Sequence, residues 1–467
     1  MNEAELLERL QAIVGANHVL TDADAMAGAL VEPRGLFTGK ARALVRPAST
    51  AEVSAVVAAC AAAKAPIVPQ GGNTGLVGGQ IPMGPEIVLS LKRLNRVREV
   101  DALADSMIVE AGVTLAEAQA AAERADRLFP LSLASEGSCT VGGNLSTNAG
   151  GVAVLAYGNA RELTTGVEVV LADGRVVNAL SKLRKDNTGY DLKDLFVGAE
   201  GTLGIITAAA LKLFARPRAR ETAFVGLTDP AAALALFRSA REHFGTGVVS
   251  FELIPRIALE FVLRHAPGAR DPLGAPHPWY VLVEVASQVA GGLADAVAEW
   301  LAGAAETGEI DDAALAASGE QRAAFWTLRE SISEVQKFEG GSIKHDVSVP
   351  IGVVPDFLAE ASAAVLRRTA GARVVAFGHM GDGNIHFNVS QPVGADKAAF
   401  LADWEGMNEV VHAIVERFQG SFSAEHGVGR LKRELLALKK DPAALDVMRR
   451  LKAALDPEGL LNPGKVL

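Results

Sequence analysis

His379 and His386 flank a tight glycine turn in the stretch Phe377-Gly-His-Met-Gly-Asp-Gly-Asn-Ile-His-Phe-Asn388. The flanks, Arg373 to Phe377 and Ile385 to Val389, are rich in β-branched and apolar residues and read as two strands. Asp382-Gly383 between them is a two-residue type I′ hairpin signal. With that pair as the loop, His379 stands directly opposite His386, with Cβ atoms about 4.5–5.5 Å apart. Asn388, two residues on, points to the same face. Two imidazoles so placed can share one divalent metal. The alternative is an ordinary histidine pair on a sheet surface.

A two-histidine site needs a third, anionic ligand. Glu425 is the candidate, in Ser423-Ala-Glu-His-Gly-Val-Gly-Arg430, between the apolar run Val410 to Phe422 and a basic helix from Leu431 to Lys440. His426 is its neighbour, and adjacent side chains of extended backbone point apart. His426 is therefore available as a proton acceptor. Two histidines and a glutamate with open positions are the pattern of a catalytic metal, since a structural site is closed by a fourth ligand. Alone, Glu425-His426 reads equally well as an ordinary loop.

These residues need a scaffold. With 467 residues, 49% of them hydrophobic, the chain can bury a large core and should divide into two or three domains. A net charge of −10 argues against nucleic acid or an anionic membrane as partner. No apolar run of 18 residues is present, so a bilayer-spanning helix is not expected. Met1 to Gly15 reads as an acidic amphipathic helix without the basic start and apolar centre of a signal peptide, which makes the cytoplasm the expected compartment. Cys60 and Cys139 are too few and too far apart for a disulfide framework or a metal knuckle.

Three glycine segments stand out. Pro69-Gln-Gly-Gly-Asn-Thr-Gly-Leu-Val-Gly-Gly-Gln80 carries five glycines directly after the strand-like Ala65 to Val68. Its bare backbone N–H groups could curl around a phosphate, although neither the Rossmann nor the Walker spacing is present. Ser135 to Gly151 is a run of small and polar residues with five glycines, long for a connecting loop. Val197-Gly-Ala-Glu-Gly-Thr-Leu-Gly-Ile-Ile-Thr207 leads into another β-branched run. Three such segments suggest a long cofactor with a pyrophosphate at its centre.

Together, Gly71 to Gly79, Arg184 to Lys193, Glu200 to Ile206, Gly378 to His386, Ser423 to Gly429 and Leu455 to Lys465 resemble one family. It is the vanillyl-alcohol oxidase (PCMH-type) flavoprotein family, in its D-2-hydroxyglutarate and D-2-hydroxy-acid dehydrogenase branch. The resemblance spans roughly residues 35 to 467 and implies an α+β chain. Its parts would be an N-terminal helical segment (1–36), a PCMH-type FAD-binding domain (37–216), a ferredoxin-like substrate and metal domain (217–425) and a C-terminal helical segment (426–467) packed on the FAD domain. FAD would be held non-covalently, with Cys139 the one residue of the loops that could form a tether. The implied flavin contacts are Gly71, Gly72, Asn73, Thr74, Gly75 and Leu76; Ser135, Gly137, Ser138, Gly142, Gly143, Asn144, Thr147, Asn148, Gly150 and Gly151; Glu200, Gly201, Gly204 and Ile205; and Asn462. The metal would be Zn²⁺, with Mn²⁺ or another divalent ion left open, on His379, His386 and Glu425. His426 would be the catalytic residue beside the substrate.

Arg322 to Phe338 has helical periodicity, with Arg329 and Ser333 one turn apart. Gly340-Gly341 ends it, and Lys344 follows on the polar face of a strand with Ser342, Asp346 and Ser348. An arginine fork can grip a carboxylate and a lysine can take a second anion. On spacing alone, a solvated helix face with Arg329 paired to Glu330 or Glu334 is the simpler reading. The resemblance instead implies that Arg329, Ser333, Lys344, Asn388 and His426 bind substrate, with Ser333 standing where threonine is common. His345 and His412 read as ordinary surface or core histidines.

The implied reaction is FAD- and Zn-dependent oxidation of D-2-hydroxyglutarate to 2-oxoglutarate by hydride transfer to flavin, extending to D-malate. A D-lactate or glycolate dehydrogenase of the same fold and an alkyl-glycerone-phosphate-synthase-like transferase are the alternatives. An electron-transfer flavoprotein or quinone is the implied acceptor, and whether the chain forms a homodimer stays open.

Overall fold

The computed structural model describes residues 2–467. The chain forms two compact units. One comprises the residues up to Gly150, Gly158–Arg216 and Glu425–Leu467; the other comprises Gly151–Tyr157 and Pro217–Ala424.

Besides a two-stranded ribbon that pairs Arg127–Leu128 with Phe214–Ala215, the first unit holds two larger sheets. In the smaller, the strands lie in the order Val19–Leu20, Ala43–Val45, Ile87–Ser90, Ile67–Gln70, and the last three are parallel. Parallel strands covered on both faces need continuous apolar runs, which Ile67-Val68 and Ile87-Val88-Leu89 supply, all fully buried. The helices Glu3–Val14 and Thr50–Ala62 cover this sheet through Leu6, Leu10, Val53 and Val57. Asn2 starts the first helix with a capping box, exchanging side-chain and backbone hydrogen bonds with Glu5. The larger sheet is antiparallel, in the order Val97–Asp101, Ser106–Glu110, Ile205–Lys212, Thr164–Val170, Val176–Ala179. The run Ser135–Gly151, expected as loop throughout, contains a short helix, Val141–Ser146. Gly142 lets that helix close on the strand end, since a Cβ there would lie 2.6 Å from the Ala111 Cβ.

The C-terminal segment completes this unit. Ile67 bridges Leu461, the Ile67 N–H donates to Leu460 O, and the Asn462 N–H donates to Ile67 O. Lys452 Nζ donates to Thr202 O and Leu461 O at 2.8 Å each and to the buried Asp456 carboxylate.

The second unit is one seven-stranded antiparallel sheet. Its order is Asp312–Leu315, Ala219–Leu227, Trp279–Ser287, Val248–Pro255, Arg373–His379, Asn384–Ser390, Ser342–Ser348. Its helices cover both faces. Pro230–Phe244, Leu293–Glu306, Val354–Arg368 and Trp404–Arg417 pack on the face that carries Val225, Phe251, Val283 and Phe387. Arg256–His265 and Gly319–Val335 pack on the opposite face against Phe224, Ile254, Leu282 and Phe377. The reason is legible in Val248–Pro255, which is buried at every position, as a central strand between two layers must be. On the second face the apolar residues give way, along the strands, to Glu252, His379, His386, Asn388, Asp346 and Lys344, which the strand alternation sets on one side.

Lys452→Ala should lower the unfolding free energy by about 2–3 kcal/mol, because a charged donor to three acceptors is lost. A urea titration measures this, and an unchanged midpoint would show that the C-terminal segment is held by its apolar contacts alone.

Candidate active site

The histidine hairpin differs from the expected one. Its loop has four residues, Met380–Gly383, and His379 pairs across the strands with Asn384, while His386 pairs with Phe377. The Asp382-Gly383 signal marks only the end of the turn: Gly383 takes the left-handed φ of +83°, and its N–H reaches back to His379 O. The register moves by two, so both imidazoles keep the same face. They are diagonal neighbours, with ring centroids 5.4 Å apart at 79°.

Glu252 organises this face. It sits mid-strand, 1% exposed, directly opposite His379. His379 Nδ1 lies 2.8 Å from Glu252 Oε1, and Arg329 Nε donates to Oε2 at 2.8 Å. Burial alone would push the Glu252 carboxyl up, but the charges of His379 and Arg329 and their hydrogen bonds hold it down at about 2. Arg329 is buried, against the reading of a solvated helix face paired to Glu330 or Glu334. Its guanidinium lies 4.8 Å from the Phe377 ring centroid. Nη2 is 2.8 Å from the same Glu252 oxygen but is not aligned to donate to it, so a buried N–H group is left without an acceptor. An arginine with a spare donor beside a metal-type histidine can take an incoming carboxylate.

The remaining residues surround this core. Lys344 pairs across the strands with Asn388, and its Nζ donates to Ser333 O at 3.1 Å. The Asn388 amide donates to Gln336 Oε1 at 3.1 Å. Asp346 pairs with His386, with Nδ1 to Oδ1 at 3.9 Å, and its carboxylate accepts from Asn384 Nδ2 at 3.0 Å. Asp382, in the turn, is pushed up to about 6 by burial. Glu425 arrives by chain connection. Ser421 bridges Ser348, the Ala424 N–H reaches Asp346 O at 3.3 Å, and Glu425 is the next residue. Ligand atoms of His379, His386 and Glu425 lie within 4.8 Å of one another, a spacing one divalent ion can satisfy. His345 is a core histidine bonded to Phe387 O at 2.8 Å.

The first unit carries a separate feature, a cleft between glycine loops. Gly71, Gly72, Asn73, Thr74, Gly75, Gly142, Gly143, Asn144, Thr147, Glu200, Gly201, Asn462 and His426 line it, joined by Gln70, Val77, Gly79, Gln80, Thr140 and Ser146. Asn73 adopts φ +62°, and among the described residues no acceptor meets the N–H groups of Gly72 to Gly75. Three buried oxygens of the lining, Asn73 Oδ1, Thr140 Oγ1 and Asn462 Oδ1, also lack a partner. Backbone donors and polar oxygens turned into a cleft fit an elongated polar cofactor with a pyrophosphate. Gly72 is glycine because a Cβ would lie 2.1 Å from Ser138 O. The other expected contacts stand outside the lining. Leu76 O accepts from Arg34, Ser138 backs Gly72, Asn148 Oδ1 accepts the Arg161 N–H, Gly204 packs on Val169 and Phe196, and Ile205 is core. Ser135, Gly137 and Gly150 are likewise outside it, and Gly151 belongs to the second unit.

Comparison with known proteins decides the family. An FAD binding domain profile matches residues 41–180, and the profile of the C-terminal domain of FAD linked oxidases matches residues 216–466. The mitochondrial D-2-hydroxyglutarate dehydrogenase of Rattus norvegicus is 37% identical over 453 residues, covering 96% of this chain and 82% of that protein. The D-2-hydroxyglutarate dehydrogenase of Stutzerimonas stutzeri is 34% identical, covering 100% of this chain and 99% of that protein. The chain belongs to the D-2-hydroxyglutarate dehydrogenase family. It is an FAD-dependent dehydrogenase. A solved structure of p-cresol methylhydroxylase with substrate bound superposes with a TM-score of 0.76 at 17% identity, over 99% of this chain and 96% of that one, and shows the shared fold.

Glu252 is the residue that sequence reasoning missed. A lone acid in the otherwise apolar run Val248-Val-Ser-Phe-Glu-Leu-Ile-Pro255 was the available signal. Glu252→Ala should destabilise the protein by about 3–5 kcal/mol, because Arg329 stays buried without its counter-charge, and adding Arg329→Met should recover much of that. The sign with pH follows from the carboxyl held at about 2, below its ordinary 4.5. The ion pair contributes stability above about pH 4.5, and that share is lost as pH falls toward 2. Unfolding followed by circular dichroism between those limits should therefore be less pH-dependent in the double variant than in the wild type.

Proposed function

We propose that the protein oxidises D-2-hydroxyglutarate to 2-oxoglutarate, and extends to D-malate, with non-covalent FAD and a Zn²⁺ ion held by His379, His386 and Glu425. The carrying observation is the buried Arg329–Glu252–His379 connection, which sets a carboxylate-binding donor beside a metal-type imidazole on one sheet face. The names of the relatives, D-2-hydroxyglutarate dehydrogenases, support the same substrate class.

Each residue then has a part. Arg329 and Asn388 would hold the end of the substrate that bears the reacting carbon. Lys344, one strand over and next to Ser333, would take the distal carboxylate as a point charge. His426 would accept the C2 hydroxyl proton on an imidazole nitrogen, a contribution of roughly 10²–10⁴ in rate. The bound ion would lower the pKa of that hydroxyl, and the flavin would supply the two-electron acceptor. With the Nδ1 of His379 turned to Glu252, Nε2 is the nitrogen that would face the ion. A D-lactate or glycolate dehydrogenase is the second reading, and Lys344 is what disfavours it.

Chelation should abolish turnover while FAD stays bound, and His379→Ala, His386→Ala and Glu425→Ala should do the same. Metal-free protein that keeps its full rate contradicts the metal assignment. Heat denaturation should release free FAD into the supernatant.

Substrate length gives a second test. Lys344→Ala should cut kcat/KM for D-2-hydroxyglutarate by roughly 10–150-fold, the value of one hydrogen bond to a charged group, and barely change D-lactate. Equal losses on both substrates would show that Lys344 does not read a second carboxylate.

A further inference from the structure

Glu200 was read from the sequence as a flavin contact, yet its carboxylate is spent on another task. Oε1 accepts the Val428 N–H at 2.7 Å and Oε2 accepts the Gly429 N–H at 2.8 Å. Those two N–H groups belong to the turn directly after His426. Gly427 fits here because a Cβ would lie 2.7 Å from Glu200 Oε1, and its φ is +76°. Glu200 is itself locked. Its N–H donates to Ser146 O at 2.8 Å, its carbonyl accepts from Asn462 Nδ2 at 2.7 Å, its φ is +51°, and its side chain is buried. The same turn is fastened on its other side, with the Val466 N–H on Gly429 O at 2.9 Å and the Arg430 N–H on Val77 O at 2.9 Å.

We infer that Glu200 is a positioning residue for His426: the third glycine segment carries a carboxylate whose work is to fix the turn that aims this imidazole into the cleft. A buried carboxylate that accepts two adjacent backbone N–H groups constrains two successive peptide planes, and the side chain one residue upstream inherits that constraint. Ser146, Asn462 and Glu200 form a chain of bonds from the short helix Val141–Ser146 and the C-terminal segment to the His426 turn, all within the first unit. The inference rests on the reading of His426 as the proton acceptor.

A double-variant cycle on the holoenzyme tests it, using anaerobic flavin reduction by D-2-hydroxyglutarate and FAD content per chain. Glu200→Ala should keep FAD bound and slow reduction by roughly 10–100-fold, as a misplaced reacting group does. The substrate concentration at half-maximal rate should stay within about twofold, since Arg329, Asn388 and Lys344, which are proposed to hold the substrate, are unaltered. Glu200→Gln keeps the volume and one acceptor oxygen, so it should fall between Glu200→Ala and wild type, and it replaces Glu200→Ala in the cycle if the latter does not fold. In a His426→Ala background either change should have almost no further effect, because its route to the reaction is already gone. Loss of FAD from the single variants, or the same fold loss in both backgrounds, overturns the inference and returns Glu200 to the flavin or to general stability. Full-rate reduction by His426→Ala instead sinks the reading of His426, and the positioning role with it.

Discussion

A carboxylate with almost no solvent contact, fixed between a guanidinium and an imidazole, is the constraint on which the second unit is arranged. Glu252 could not stay ionised at 1% exposure without both partners, since moving one charge out of water costs several kcal/mol. The strand Val248–Pro255 therefore has to lie beside Arg373–His379, and the helix Gly319–Val335 has to present Arg329 over Phe377. Neither position can slip by a residue without burying an unpaired charge. The same carboxylate decides which nitrogen of His379 is engaged and which Arg329 donors remain, so electrostatic necessity in the core also sets the chemistry at the surface of the site.

The glycine cleft follows a different logic. Loops packed nearly backbone to backbone, as Gly72 is on Ser138, leave no room for side chains and turn amide groups outward together. Polar oxygens without partners then cluster where the loops meet. In a folded chain such groups are ordinarily satisfied, and their concentration in one cleft marks where a ligand completes the hydrogen bonding.

What the sequence made legible divides along physical lines. The two histidines, their common face and the acid one residue before His426 were readable because strand alternation survives a two-residue error in register. The hairpin register itself was not readable, since Asp382-Gly383 identifies the left-handed residue of the turn and not where the turn begins. Arg329 was found by resemblance, but its partner lies 77 residues away, on a strand where Arg329 is on a helix, a separation that no local pattern encodes. The helix Val141–Ser146 was hidden by a composition of glycine, serine and asparagine that disfavours helix, overridden by packing against Ala111. Helices on both faces of the large sheet were not anticipated from the sequence, because Val248–Pro255, buried at every position, sets Ser250 and Glu252 in alternation with apolar residues and reads as a one-sided strand.

The chain crosses between its units at Gly150, at Tyr157, at Arg216 and at Ala424, so neither unit is a single stretch of sequence. The excursion Gly151–Tyr157 is fixed in the second unit, where Ser250 Oγ donates to Val152 O at 2.7 Å and Leu155 packs against Gly381. The pairing of Ile67 with Leu461 closes a loop that contains most of the molecule. Loop closure entropy grows only logarithmically with length, so the equilibrium cost of that topology is modest, but its kinetic cost is not. During synthesis the cofactor-binding unit starts first and is completed last, after every strand of the other unit has emerged. Its cleft stays a partial structure for that whole interval, with the His426 turn and then Asn462 the last lining residues to reach it.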